Sequence, residues 1–206
     1  IILNEKNWDI VCCSFFKFYN YGEGHAAKID WSTAKAFEKL DGSLMQLYWY
    51  DGQWMVSSSG LPDASGEVAG FNITFAELFW KVFHELKYEL PKDTNCCYSF
   101  ELMTKLNRVV VRHEEDNLVL IGARDLTTLK ERNPIVEAHI NEWRSAPLYP
   151  LTSIEEVMSF VSGRDPMEHE GCVVVDQNYN RIKIKSSAYV SVAHLRDGFS
   201  TRRLLE

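Results

Sequence analysis

No stretch of this sequence stays apolar over the length of a membrane span, no segment repeats, and none is of low complexity. Those absences exclude a chain threaded through a bilayer on hydrophobic helices, and they argue against a repeat array or a linker. The five cysteines, Cys12, Cys13, Cys96, Cys97 and Cys172, lack the C-x-x-C spacing of metal sites. Two adjacent pairs and a singleton are badly placed to bridge, so they read as reduced thiols of an intracellular compartment, cytoplasmic or nuclear. No signal peptide opens the chain, so the sequon Asn72-Ile73-Thr74 reads as accidental. An excess of positive charge is also missing. A net charge of −7 argues against a protein that coats nucleic acid with a uniform basic surface, though a local basic groove stays open. With no initiator methionine before Ile1, the expectation is a fragment of a longer protein.

What is present is a globular composition, with 46% hydrophobic and 25% charged residues in 206. A compact domain of that size buries roughly 70% of its unfolded surface and needs no staples. Trp8 to Cys13 reads as a buried strand, and Asp30 to Phe37 as a short helical turn leading to Lys39. Leu44–Tyr50 and Gln53–Ser58 flank Asp51-Gly52, a type I′ hairpin signal, which places Lys39 on a loop at a sheet edge. From Thr74 to Leu90 apolar residues recur at three and four. Thr74 with Glu77 forms a capping box, so this is the clearest amphipathic helix, and His84 on it reads as structural. Tyr98–Met103, Arg108–Arg112 and Leu118–Ala123 are further strand candidates. Helices are expected from Pro134 to Trp143 and from Ser153 to near Gly163, with a hairpin of 172–176 and 181–185 closing the set. The fold class is α+β, with mixed, mainly antiparallel sheets and flanking helices, taken as one domain over 1–206.

Lys39-Leu40-Asp41-Gly42-Ser43 has the form K-x-D-G, in which a lysine carries a nucleotide. Three fixed letters arise by accident in about one chain in twenty of this length, so the motif alone signifies little. Its weight comes from the downstream stretches, which supply the other groups this chemistry needs. A lysine must be neutral to attack, and nearby cations disfavour its charged form. In Arg181-Ile182-Lys183-Ile184-Lys185, strand alternation sends the three cations to one face, which suits a triphosphate and the charge developing at its α-phosphate. The bland alternative is a solvated basic edge. Glu101 and Glu170 lie in or beside apolar strands, where an unpaired carboxylate is costly, so each reads as a ligand. Magnesium takes few protein carboxylates, and one or two suffice. Lys17, among Phe15, Phe16, Phe18 and Tyr19, is either an exposed cation–π contact or a phosphate ligand beside a stacking platform.

The ordered set Lys39-Leu40-Asp41-Gly42-Ser43, Phe100-Glu101, Glu170-Gly171-Cys172-Val173 and Lys183-Ile184-Lys185 resembles the motifs of the covalent nucleotidyl transferases. Within them the chain most resembles the RNA ligase 1 family of T-even phage, through Phe16-Lys17-Phe18-Tyr19-Asn20, Asn107-Arg108-Val109-Val110, Lys183-Ile184-Lys185-Ser186 and Tyr189-Val190. The resemblance implies an ATP-grasp-like nucleotidyltransferase domain and an ATP-dependent RNA ligase of RNA repair. It implies lysyl-AMP on Lys39, AMP transfer to an RNA 5′-phosphate, and sealing by a 3′-hydroxyl, with Mg2+ or Mn2+. By the same resemblance Asp41 positions Lys39 or a metal-bound water, Lys17 binds nucleotide phosphate, Glu101 the ribose, Glu170 the metal, and Lys183 and Lys185 the α-phosphate. Asn107 and Arg108 help engage the RNA 5′-phosphate. No membrane is implied, and no protein partner is indicated.

One stretch departs from the family pattern. Ser57-Ser58-Ser59-Gly60 has Ser59 where the family usually places a basic residue. A capping-type guanylyltransferase or DNA ligase domain shares the core motifs and is the alternative enzyme. A nucleotide-binding pseudoenzyme or RNA-binding scaffold is the alternative of another class.

Overall fold

The computed structural model describes residues 1–198, which divide into two compact units. The first comprises Ile1–Phe16, Gly42–Asn107 and His113–Ala146; the second comprises Lys17–Asp41, Arg108–Arg112 and the chain from Pro147 onward. The α+β class expected from the sequence is what the described residues form.

The first unit is built on a six-stranded sheet. Its strands run in the order Arg144–Ser145, Asn117–Asp125, Cys96–Met103, Ser43–Tyr50 and Gln53–Ser58, with Glu131–Arg132 also paired to Asn117–Asp125. Only the Arg144–Ser145 pairing is parallel. Cys96–Met103 is buried along its length except at Glu101, as a central strand with both faces covered must be. The Ser43–Tyr50 and Gln53–Ser58 hairpin turns at Asp51 (φ 49°) and Gly52 (φ 81°), the left-handed pair that a type I′ turn requires. Helix Phe75–Glu85 buries Leu78, Phe79, Val82 and Phe83, and the Thr74–Glu77 capping box closes its first turn. Trp143 joins this core edge-on to Tyr98 and Phe100, with ring centroids 5.2 and 5.0 Å away.

The second unit carries a five-stranded sheet in the order Leu148–Tyr149, Lys35–Lys39, Gly171–Val175, Arg181–Lys185 and Tyr19–Asn20. Its last pair is parallel and the others antiparallel. Ala36, Cys172, Val174, Ile182 and Ile184 point to one side and close over Val157 and Val161 of helix Ile154–Ser162. Helix Ser187–Gly198 follows the Arg181–Lys185 strand.

Five expectations are corrected. Asp30 to Phe37 is not a helical turn before a loop: the Asp30 carboxylate takes Ser32 N–H and the hydroxyls of Ser32 and Thr33 in a tight turn, after which Lys35–Lys39 is a strand. Lys39 therefore ends a strand in the sheet's interior, with neighbours on both sides, rather than standing on an edge loop. Arg108–Arg112, for all its β-branched residues, is irregular because the Asp41 carboxylate accepts the N–H groups of Val110 and Val111. The first predicted strand is confined to Ile10–Cys12; Trp8, 73% exposed at φ 63°, lies in the turn before it. The predicted helices from Thr74 and from Pro134 also stop early, at Glu85 and Ile140, ahead of Lys87 and Glu142 at φ 57°.

The capping box ties Thr74 to Glu77 in both directions, so Thr74→Ala is expected to cost about 1 kcal/mol of stability, read as a lower urea midpoint at unchanged m-value.

Candidate active site

Alternation within the second unit's sheet sorts its residues by face. Opposite Lys39 in the ladder stands Gly171, and opposite Gly171 on its other side stands Lys185; two residues along, Phe37, Val173 and Lys183 form the next row of the same face, and Lys35, Val175 and Arg181 the one after. Lysines 39, 183 and 185 therefore share one face, with Phe37 and Val173 between them. Gly171 is required here. Its φ of 156° suits glycine, and a Cβ would run into the Ile184 carbonyl oxygen.

The residue before that glycine supplies the counter-charge. Glu170 is 3% exposed, and its Oε1 lies 2.8 Å from Lys39 Nζ and 2.8 Å from Lys185 Nζ. Its carbonyl accepts Ser186 N–H at 3.2 Å, which fixes it to the end of the Arg181–Lys185 strand. A carboxylate so buried is tolerable because two ammonium groups share it, and removing one partner of such a pair costs about 3–5 kcal/mol. Burial, followed by the charges of Lys185 and Lys39, pulls the Lys183 pKa below its ordinary 10.5. Phe18 lies between cations, 5.6 Å from the Arg181 guanidinium and 5.5 Å from Lys183 Nζ, while exposed Lys17 places its Nζ 5.0 Å from the Tyr19 ring centroid.

Asp41, 4% exposed, is a junction. Oδ2 accepts Val110 N–H at 2.8 Å and Val111 N–H at 2.6 Å, and Oδ1 accepts the Tyr189 hydroxyl at 2.7 Å. Tyr189 packs with Val110 and Val111 in a small apolar cluster. Asp41 thereby holds the loop that carries half-exposed Arg108, whose Nε donates to Val110 O at 3.0 Å.

In the first unit, Gly42 N–H donates to Glu101 Oε1 at 2.9 Å. Only glycine fits there, because a Cβ would strike the Leu102 carbonyl oxygen. Asn107 turns inward: its Nδ2 donates to Ser43 Oγ at 2.9 Å and to Leu102 O at 2.8 Å, and its Oδ1 accepts Thr104 N–H and the Thr104 hydroxyl at 2.8 Å each. Ser59 follows the end of Gln53–Ser58, in a turn where Ser58 Oγ accepts Leu61 N–H.

The structure thus brings Lys39, Glu170, Lys183 and Lys185 together in the second unit, and Glu101 with the motif glycine in the first. Sequence reasoning missed the tie of Tyr189 to Asp41. The available signal was the position of Tyr189 four residues beyond Lys185, at the start of a helix. Among the described residues, no three His, Cys, Asp or Glu side chains cluster as a self-sufficient metal site, and no helix is long and apolar enough to cross a membrane.

A family model described as RNA ligase matches residues 1–189. An RNA ligase of Rhodothermus phage RM378 is 26% identical over 267 residues, covering 98% of this chain and 60% of that protein. A putative bifunctional polynucleotide kinase/RNA ligase of Autographa californica nuclear polyhedrosis virus is 29% identical over 212 residues, covering 93% of this chain and 30% of that one. The chain spans less than two thirds of the length of either. Among solved structures, a Naegleria gruberi RNA ligase variant with ATP and Mn matches with a TM-score of 0.57 at 14% identity, over 79% of this chain and 52% of that one. The same ligase with pyrophosphate gives 0.55 at 15% identity, over 77% and 51%. At these identities the structural matches show a shared fold.

This geometry carries two expected outcomes. Because the Lys183 pKa is lowered, its charged form costs the folded protein stability; that cost is whole below the folded value and fades as pH rises from there towards 10.5. Lys183→Met is therefore expected to raise the melting temperature of the ligand-free protein at pH 7, on the order of 2 °C by calorimetry. Asp41→Asn faces backbone donors with an amide, so amide hydrogen exchange at Val110 and Val111 is expected to quicken at least tenfold, for a loss of about 1–3 kcal/mol per unpaired group.

Proposed function

The chain belongs to the RNA ligase family, and from that premise we propose that it activates RNA 5′-phosphate ends with ATP and seals them to 3′-hydroxyls, in RNA repair. The observation that carries the reading is the buried Glu170 carboxylate shared at 2.8 Å by Lys39 and Lys185, with Lys183 on the same face.

In the ligand-free protein Lys39 is paired with the Glu170 carboxylate. To react, Lys39 leaves Glu170 and passes its proton to solvent water, which Lys183 and Lys185 assist by disfavouring another positive charge beside them. The neutral Nζ attacks the α-phosphorus of ATP, a phosphorus–nitrogen bond forms, and the bond to the pyrophosphate oxygen breaks. Lys183 and Lys185 face the charge that develops on the α-phosphate oxygens, and Lys17 meets the outer phosphates. Glu101, whose carboxylate accepts the Gly42 N–H at 2.9 Å, is the group proposed for the ribose hydroxyl. Next, an oxygen of the RNA 5′-phosphate displaces Lys39 and takes the AMP; the RNA 3′-hydroxyl then displaces AMP.

Mg2+ or Mn2+ fits a donor set with Glu170 as its protein carboxylate and waters and phosphate oxygens as the remainder, and when bound it would neutralise charge on the triphosphate. Arg108, on the loop tied to Asp41, is the group proposed for the 5′-phosphate. Asn107 acts indirectly, since its bonds to Ser43, Leu102 and Thr104 shape the turn before Arg108. Asp41 accordingly serves to fix the loop and the end of the Lys39 strand. The five buried, unbridged cysteines support a reducing, intracellular setting.

Incubation with α-labelled ATP and Mg2+ or Mn2+ is expected to give a labelled protein band that Lys39→Ala abolishes, and 5′-phosphorylated RNA is expected to be joined in the same mixture. Labelling by GTP alone would favour the capping reading. A folded wild-type protein that takes no label would overturn the proposal in favour of a binding scaffold.

A further inference from the structure

Behind the Lys39 and Glu170 pair lies a second one, made by the residues immediately preceding each in sequence. The ladder between Lys35–Lys39 and Gly171–Val175 ends at its rung of Lys39 opposite Gly171, so Glu170 and His169 lie beyond the last pairing. On the Arg181–Lys185 side the Glu170 backbone is anchored by Ser186 N–H. Towards the Lys39 strand two side-chain bridges cross the gap. One is Lys39 to Glu170 itself; the other is His169 Nδ1 to Glu38 Oε1 at 3.0 Å.

The surroundings of His169 fix its role. Arg164 Nη1 lies 3.5 Å from His169 Nε2 and, as a guanidinium, can only donate, an arrangement that suits Nδ1 as the ring nitrogen donating to Glu38. The His169 backbone N–H is pinned to Asp165 O at 2.9 Å, and the Arg164 guanidinium rests 4.3 Å from the Phe160 ring centroid. The Tyr149 hydroxyl also bonds Glu38, and burial together with that carboxylate pushes the phenol up to about 12. Glu38 and His169 are thus held from both sides, at 17% and 20% exposure, on the sheet face opposite Lys39.

We infer that His169 and Glu38 are positioning residues: their hydrogen bond keeps Glu170 beside the nucleophile's strand during the interval when Lys39 has left Glu170 to react. The inference rests on the lysyl-AMP reading above. Of the two bridges, the Lys39 bridge must open for the reaction to proceed, whereas the His169 bridge uses no group that the reaction consumes. Partners that orient a ligand from behind typically affect activity 10–100-fold without touching the substrate.

The test compares His169→Ala with His169→Asn, whose amide Nδ2 stands near the position of the imidazole Nδ1 and keeps the donor. Single-turnover lysyl-AMP formation at saturating ATP is expected to fall roughly tenfold or more in His169→Ala, with half-saturating ATP and melting temperature unchanged, and to recover to within about threefold in His169→Asn. A second readout needs no nucleotide. Acetylation of Lys39 by acetic anhydride, mapped by mass spectrometry, is expected to quicken about threefold in ligand-free His169→Ala and to be normal in His169→Asn. Unchanged Lys39 acetylation in His169→Ala, or an Asn variant as impaired as the Ala variant, overturns the inference. A wild-type protein that takes no AMP overturns the ligase reading, and the acetylation arm then decides the clamp by itself.

Discussion

A carboxylate 3% exposed to water is an expensive object, and the second unit is arranged around the need to compensate one. Glu170 is reached by a lysine from the strand on either side of it, and each comes at the last rung of its ladder with Gly171. Gly171 makes this possible because nothing larger tolerates its φ or the Ile184 carbonyl against it. The same three strands bury Ala36, Cys172, Val174, Ile182 and Ile184 on their other face, so the sheet cannot slip register without exposing its core. Apolar packing on one side thereby fixes charge placement on the other.

In the proposed reaction Lys39 is the nucleophile, and its ion pair with Glu170 holds it ready on the face it shares with Lys183 and Lys185. The unit pays for that readiness in Lys183, whose depressed pKa marks a charge held in an unfavourable place. Asp41 performs a different service. Its carboxylate is taken up by Val110, Val111 and Tyr189, so the second fixed letter of the motif is an anchor for the loop bearing Arg108.

Much of this was legible in the sequence. The 3.6-residue period and capping box marked helix Phe75–Glu85, Asp51-Gly52 marked its hairpin, and the alternation of Arg181 to Lys185 gave the cationic face directly. The Lys39 strand was not legible because it is five residues long and its partners, Leu148–Tyr149 and Gly171–Val175, lie more than a hundred positions away. Val109-Val110-Val111 misled for the opposite reason: a strong local β preference is overridden by two hydrogen bonds to a distant aspartate. Asn107 was legible as a candidate by its place in a motif, whereas its bonds to Ser43 and Leu102 were not, because they depend on how the chain turns after Met103.

The most direct test of the account is Glu170→Gln, which keeps the shape of the side chain and removes its charge. With the fold intact by circular dichroism, lysyl-AMP formation from ATP is expected to fall by about two orders of magnitude, because the group that aligns Lys39 with Lys185, and that is proposed to serve the metal, is gone. A Gln variant that adenylylates at the wild-type rate would contradict the claim that the site is organised on this carboxylate.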